Sequence, residues 1–204
     1  FSFLLFSWPQ TKAQTKLATP TPEDIELAKA LNQEHGEDEA RLAILDADIR
    51  YEFELDKTGE KVRVIEYENK RYINLNLPFY VGFAEYYNDY SELSKYQFRN
   101  RKDRRIQLYI KDDYYEEEGI FYHDRRLKGT YFEFKLPGEL LVTEVEKTYF
   151  DIKYFTSVYF RERFPVEQKI IQFVVPNWLN IELKTYNFRL NPKSSNEFNK
   201  KNPA

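Results

Sequence analysis

Aromatic side chains crowd one short stretch of this sequence. Residues 149–160 (YFDIKYFTSVYF) place six rings in twelve positions, in a chain with 17 Tyr and 17 Phe. Exposed rings stack on sugars or peptides, and one strand face cannot bury all of these. We therefore take Tyr149, Tyr154 and Tyr159 as candidate residues for binding a peptide or glycan. The alternative, which we favour for most rings, is that they fill and cover a β-sheet.

Two charged runs have a possible chemistry and a simpler explanation. The basic residues in 98–105 (FRNRKDRR) could contact phosphate, but the chain has a formal net charge of -3, so a solvated turn is favoured and no nucleic-acid partner is predicted. The acidic residues in 112–118 (DDYYEEE) could hold Ca²⁺, but they lack the spaced D-x-D-x-D-G pattern. A solvated acidic loop is the better interpretation.

Residues for catalysis are sparse. The sequence has no cysteine, which excludes a thiol nucleophile and thiolate metal sites. The pair His123 and Asp124 could serve a hydrolase only with an activated serine, and no G-x-S-x-G turn is present. We expect a surface histidine, a chain that is not itself an enzyme, and no metal or cofactor.

The elements that must position these residues are strands. From Asp46 onward, Ile49, Tyr51 and Phe53 alternate with charged residues, and a turn at 56–59 leads into a partner strand. Further short alternating runs follow without helical spacing between them. The pattern predicts a mostly β fold, an antiparallel two-layer β-sandwich with a short N-terminal helix. Pro165 and Pro176 should end strands, and Trp178 should bury its ring.

Four segments follow from composition. Residues 1–14 begin with FSFLLFSW, an apolar run too short to span a bilayer, and are typical of a signal-peptide remnant, the alternative being a strand. Residues 15–45 form a helical segment, capped by Thr21 and stopped near Gly36. Residues 46–190 form the sandwich, and 191–204 (NPKSSNEFNKKNPA) a linker or tail. A leader predicts a periplasmic or cell-surface location, and no stretch is typical of a transmembrane helix.

Three stretches carry a likeness to a known family: the strand pair over 46–76 (DADIRYEFELDKTGEKVRVIEYENKRYINLN), PGELLVTEVEKTYFD over 137–151, and RFPVEQKIIQFVVPNWLNIELKTYNF over 163–188. Together they span about 42–188. The chain resembles the uncharacterised β-rich domain that precedes transglutaminase-like cores in exported bacterial proteins. The resemblance implies a two-layer β domain followed by a C-terminal core that uses Cys, His and Asp, and any catalysis would belong to that core.

We therefore expect a non-catalytic accessory domain of an exported transglutaminase-like protein, which positions the core or binds a partner. The alternative is a free-standing β-sandwich at the cell surface that binds carbohydrate or peptide. Neither hypothesis identifies the ligand.

Overall fold

The computed structural model of the chain describes residues 17–35, 40–76, 78–115, 124–184 and 186. The predicted leader remnant over 1–14, the predicted tail over 191–204, Gly36 and His123 lie outside these residues. Contacts divide the chain into two compact units, Phe1–Val174 and Val175–Ala204, and all the strands below belong to the first.

Within these residues, one α-helix and nine strands follow in chain order: α1 Pro22–His35, β1 Leu42–Leu55, β2 Val62–Asn74, β3 Phe79–Tyr87, β4 Ser91–Asn100, β5 Arg105–Ile106, β6 Lys111–Tyr114, β7 Arg126–Phe134, β8 Leu140–Tyr149 and β9 Lys169–Val174. A short 3₁₀ helix, Ile152–Tyr154, follows β8. The main sheet has the order β5-β4-β8-β2-β1-β9, and the small sheet has the order β3-β7-β6. The predicted mostly β fold with two sheets and an N-terminal helix is confirmed.

One strand pair departs from the antiparallel prediction. β9 pairs with β1 in parallel, from Ala47 opposite Lys169 to Glu52 opposite Val174. The reason is the crossing segment, residues 150–168, which carries the chain from the end of β8 back to the start of β1 before β9 begins. A parallel neighbour needs such a crossover, whereas antiparallel neighbours need only a turn.

The start of β1 differs from the expected boundary. The strand begins at Leu42, where a helical segment was expected to run to residue 45. Leu42 and Ile44 are buried in the core between the sheets, and Ala43 is buried against α1 on the other face. A strand covered on both faces loses the alternation that reveals it in a sequence. A bulge at Leu45 then returns Ala47 to the inner face.

The core lies between the two sheets, and α1 adds a third layer at one end. Phe98 of the main sheet and Phe132 and Phe134 of the small sheet are fully buried. α1 packs Ala28 and Leu31 on the outer face of the main sheet. The predicted cap is present: Asp24 N–H donates to Thr21 Oγ1 at 3.3 Å, and Thr21 N–H donates to Asp24 Oδ2 at 2.7 Å.

Two predictions for the second unit are wrong. Over the described residues 175–184 the chain forms no strand, although the β-sandwich was predicted to extend to residue 190. Trp178 is 50% exposed rather than buried. Pro176, by contrast, follows shortly after the end of β9, where a residue without a backbone donor is tolerated.

Gly138 fixes the contact between α1 and the turn before β8. Its φ is +80°, and a β-carbon there would lie 3.0 Å from the backbone of Asp24 and Ile25. Its N–H donates to the carbonyl of Asn74 at 2.8 Å. The position therefore requires glycine both for its left-handed backbone and for the close approach of the helix.

Gly138→Ala should lower the free energy of unfolding by about 2–4 kcal/mol, because it adds backbone strain and a clash with α1. Gly59→Ala is the matched control, since Gly59 has φ +74° but a methyl group added to it would meet no other atom within 4 Å. That variant should lose only about 1 kcal/mol. Urea unfolding measures both, and equal losses would contradict the role of the helix contact.

Candidate functional site

Strand β2 turns charged side chains toward the interior. Its register with β1 sets Glu66 opposite Tyr51, Glu68 opposite Ile49, and Lys70 opposite Ala47. Tyr51, Ile49 and Ala47 are buried on the inner face of the main sheet, so their partners on β2 lie on the same face. The interior of the sandwich therefore has a polar half next to its apolar core.

A chain of ion pairs crosses this polar half. Lys70 Nζ lies 2.8 Å from Glu68 and 3.0 Å from Glu162 of the crossing segment, and Glu162 lies 2.5 Å from Lys169 of β9. Lys169 also donates to the carbonyls of Tyr159 and Phe160. These contacts tie the crossing segment to β2 and β9.

Burial and pairing shift the pKa values of these residues in definite directions. Burial alone would lower the pKa of Lys70, but Glu68 and Glu162 raise it well above its usual value. Burial raises the pKa of Glu68, and Lys70 opposes that rise. Lys70 therefore stays a cation across the physiological range.

Two tyrosines surround Glu66. The hydroxyl groups of Tyr51 and Tyr149 donate to its two carboxylate oxygens at 2.9 and 3.0 Å. Burial, and then the charge of Glu66, raises the pKa of each tyrosine far above its usual value. Both side chains therefore remain phenols at neutral pH and act as hydrogen-bond donors.

Glu85 brings a further carboxyl group into the polar half from β3. Burial, and then the charge of Glu68, raises its pKa to about 8. Lys70 and Lys147 act in the opposite direction but do not pair with it, since Glu85 forms no ion pair with any cation in the described part of the chain. Lys128, its register partner on β7, donates instead to the carbonyl of Leu93.

A cavity of about 190 Å³ opens between the two sheets beside Glu85. Aromatic and charged side chains from both sheets and from the crossing segment form its wall. They include Glu68, Lys70, Tyr72, Phe83, Glu85, Tyr96, Glu162 and Phe164.

Tyr96 differs from the other polar residues of that wall in its hydrogen bonding. It is only 8% exposed, and its hydroxyl is buried with no hydrogen-bond partner among the described residues. Burial, and then the charge of Glu85, raises its pKa. A buried hydroxyl without a partner costs free energy, so a native protein usually supplies one.

The open edge of the small sheet runs along the cavity. Among the strands that the structure describes, β3 pairs only with β7, and two cations reach its other edge. Lys147 donates to the carbonyl of Tyr86 at 2.7 Å, and Arg163 donates to that of Gly82 at 3.3 Å. Since backbone groups alternate along a strand, the N–H and carbonyl of Ala84 point to this same edge. The two cations also protect the edge from pairing with another strand.

The three predicted binding residues do not converge. Tyr149 faces inward and binds Glu66. Tyr154 is 37% exposed and stacks on Tyr90 with ring centroids 4.0 Å apart, whereas Tyr159 is 78% exposed. Phe150 is exposed close to the Tyr90–Tyr154 pair, since its N–H donates to the Tyr90 carbonyl.

The basic run forms a paired turn, as the simpler interpretation predicted. Residues 101–104 connect β4 to β5, with Asp103 at φ +58°. Arg99 donates to Glu144 at 2.9 Å, and Arg101 lies 3.1 Å from Asp24 of α1.

Part of the acidic run is described: Asp112 accepts from the hydroxyl of Tyr87 at 2.5 Å and pairs with Arg126 at 3.0 Å.

Sequence reasoning missed the polar half. A signal was available, because Glu66, Glu68 and Lys70 occupy alternate positions that pair with the buried face of the preceding strand. Pairing the two runs across the turn at 56–59 would have placed these charges inside the sandwich.

No family model matches the chain, and no curated protein matches it. The likeness to the domain that precedes transglutaminase-like cores therefore stays a prediction based on strand patterns. Across the described residues, no helix is long and apolar enough to cross a membrane, and no three His, Cys, Asp or Glu side chains are grouped to hold a metal ion.

Lys70→Met should destabilise the fold by about 3–5 kcal/mol, because it leaves Glu68 buried without its cation and removes one of two cations from Glu162. Lys29→Met breaks only the exposed pair with Glu26 and should stay within about 0.5 kcal/mol. Urea unfolding at pH 7 compares the two, and a loss for Lys70→Met as small as the control would contradict a buried network.

Glu85→Gln should remove a pH dependence of stability. The folded state keeps the Glu85 proton up to about pH 8, whereas an unperturbed carboxyl loses it near 4.5, so the free energy of unfolding should fall as pH rises through this window. Relative to the variant, the native chain should lose on the order of 3–5 kcal/mol between pH 4.5 and 8.5.

Glu66, Glu68 and Glu162, together with Lys70, Lys147 and Arg163, also face this position, so comparison with Glu85→Gln isolates the Glu85 contribution. Glu92→Gln, which removes an exposed carboxyl from β4, controls for the loss of one charge. Parallel pH profiles for the native chain and Glu85→Gln would contradict the shifted titration.

Proposed function

We propose that the chain is a non-catalytic binding domain, accessory to a transglutaminase-like core in an exported protein. The observation that carries the binding function is the buried Tyr96 hydroxyl, which lacks a partner among the described residues at the wall of a cavity between the sheets. A ligand that enters the cavity can supply that partner. The accessory relationship rests on the resemblance of residues 42–188.

The protonation states of the wall support binding rather than bond breaking. Lys70 is held as a cation between two carboxylates, and Tyr72 and Tyr96 have raised pKa values. Neither an amine base nor a phenolate nucleophile is therefore available from these side chains at neutral pH. Glu85 titrates close to neutrality, but the wall offers it no hydroxyl or thiol with a lowered pKa to activate.

The accessory relationship is tested by the gene on either side of these residues. We expect a basic leader that starts with Met upstream of Phe1, and a core with Cys, His and Asp in that order downstream of Ala204. An unrelated downstream domain would remove the transglutaminase link, and a mature protein found only in the cytoplasm would remove the exported location.

A second candidate function has its own observation. Tyr90 and Tyr154 form an exposed stacked pair, with Phe150 beside them, and such rings can stack on a sugar or peptide. This surface suits a free-standing carbohydrate- or peptide-binding domain at the cell surface.

Tyr154→Ala should weaken glycan or peptide binding about tenfold if this surface is the binding site, since it removes one stacking face. Tyr80→Ala is the control, because Tyr80 is also an exposed tyrosine but lies on β3 of the small sheet. A glycan array followed by titration measures both variants. No binding, or equal weakening by both substitutions, would remove this candidate.

A further inference from the structure

The cavity beside β3 holds an acid that has no cation of its own among the described residues. Lys70 contacts Glu68 and Glu162, Lys169 contacts Glu162, and Lys147 donates to the carbonyl of Tyr86. Glu85 shares in none of these contacts. With Glu85 ionised, the four carboxylates of Glu66, Glu68, Glu85 and Glu162 face four cations, Lys70, Lys147, Lys169 and Arg163. Among the described residues, however, none of these cations forms an ion pair with Glu85.

The wall around Glu85 suits an organic cation. The ring of Tyr72 lies edge-on to Phe83, with centroids 5.1 Å apart, and to Phe164, with centroids 6.2 Å apart. Aromatic faces attract ammonium groups, and the same rings pack against a methylene chain. Ile44 and Val145 add apolar wall.

Hydrogen-bond acceptors are present for an ammonium group, which has three donors. The Glu85 carboxylate is one acceptor, and the lone pairs of the partnerless Tyr96 hydroxyl are another. The third is the Ala84 carbonyl at the open edge of β3, between the carbonyls that Arg163 and Lys147 already occupy.

Size limits the ligand. A cavity of about 150 Å³ admits benzene, so 190 Å³ accepts an ammonium group with about four carbon atoms. An anion of that size would find the two cations of the wall already engaged, Lys70 by Glu68 and Glu162 and Arg163 by the Gly82 carbonyl.

We propose that this cavity binds a primary alkylammonium group, either of a small free amine or of a lysine side chain in a peptide, with Glu85 as its counter-ion and the Tyr96 hydroxyl as a second acceptor. This inference rests on the proposed binding function and gives it a ligand class. Binding also has a proton linkage, since Glu85 must ionise to pair with the ligand.

The test is calorimetric titration of the full chain with n-butylammonium at pH 7, with n-butanol and butyrate as neutral and anionic probes of matched length. Butylammonium should bind at millimolar concentration or tighter, and at least tenfold more tightly than either other probe. Titration in two buffers of different ionisation enthalpy should show release of close to one proton per ligand. Affinity should rise between pH 6 and 8 and then level off.

Two variants locate the site. Glu85→Gln should weaken butylammonium binding at least tenfold and abolish the proton release, and Tyr96→Phe should weaken binding about three- to tenfold. Glu92→Gln is the matched control and should leave the affinity unchanged. Thermal melts establish that each variant is folded, and Glu85→Gln is expected to be at least as stable as the native chain at pH 8.

The source of the ammonium group is distinguished by Nα-acetyl-lysine amide and a lysine-containing peptide. Equal affinity for butylammonium and the peptide indicates a free amine, whereas tighter binding of the peptide indicates a lysine side chain.

Absence of butylammonium binding at millimolar concentration, or binding that is unchanged in Glu85→Gln, overturns the inference. If butanol binds as tightly as butylammonium and Tyr96→Phe weakens both, the ligand class is wrong but the binding function survives. If no probe binds at all, the cavity carries no support for the binding function either, and the accessory relationship is then decided by the gene alone.

Discussion

The contact of Lys70 with Glu68 and Glu162 governs the arrangement of the interior. Lys70 and Glu68 belong to the centre of the main sheet, whereas Glu162 belongs to the crossing segment, 92 residues farther along the chain from Lys70. Their pairing, extended by Lys169, holds that segment against the sheet and brings β9 alongside β1. A buried ion pair is a weak source of net stability, because desolvation offsets much of the attraction. Its main effect here is positional: it determines which segment forms the wall of the cavity.

The residues of the apolar core are therefore largely different from the charged residues that line the cavity. Phe98, Phe132, Phe134 and Leu141 belong to the apolar core, whose burial favours folding. In the part of the chain that the structure describes, the small sheet has three strands and the main sheet six, so the small sheet does not cover the whole inner face of the main sheet. The crossing segment borders the part of that face where Glu68 and Lys70 lie, with Glu162 and Phe164 in the cavity wall. The cavity therefore lies in the polar half, beside the apolar core rather than within it.

Periodicity accounts for what the sequence predicted well. Alternation at Ile49, Tyr51 and Phe53 identified both the strand and its buried face, and Thr21 identified the helix cap. Periodicity states which side chains share a face, but it does not state which partner covers that face. For this reason the polar half and the parallel placement of β9 were missed. Each depends on a contact with a segment distant in sequence, and local pattern contains no information about it.

Phenylalanine and tyrosine occupy different parts of the interior. The three phenylalanines that are fully buried lie in the apolar core. The tyrosines at the border of the polar half use their hydroxyl groups: Tyr51 and Tyr149 donate to Glu66, and Tyr72 shares a hydrogen bond with Thr143. A phenylalanine would fill the same space at each site without the cost of burying a hydroxyl, so the hydroxyl is retained where a polar partner exists. Position 96 is also a tyrosine rather than a phenylalanine, but its hydroxyl has no hydrogen-bond partner among the described residues. The proposed ammonium ligand would supply the partner that Tyr96 lacks.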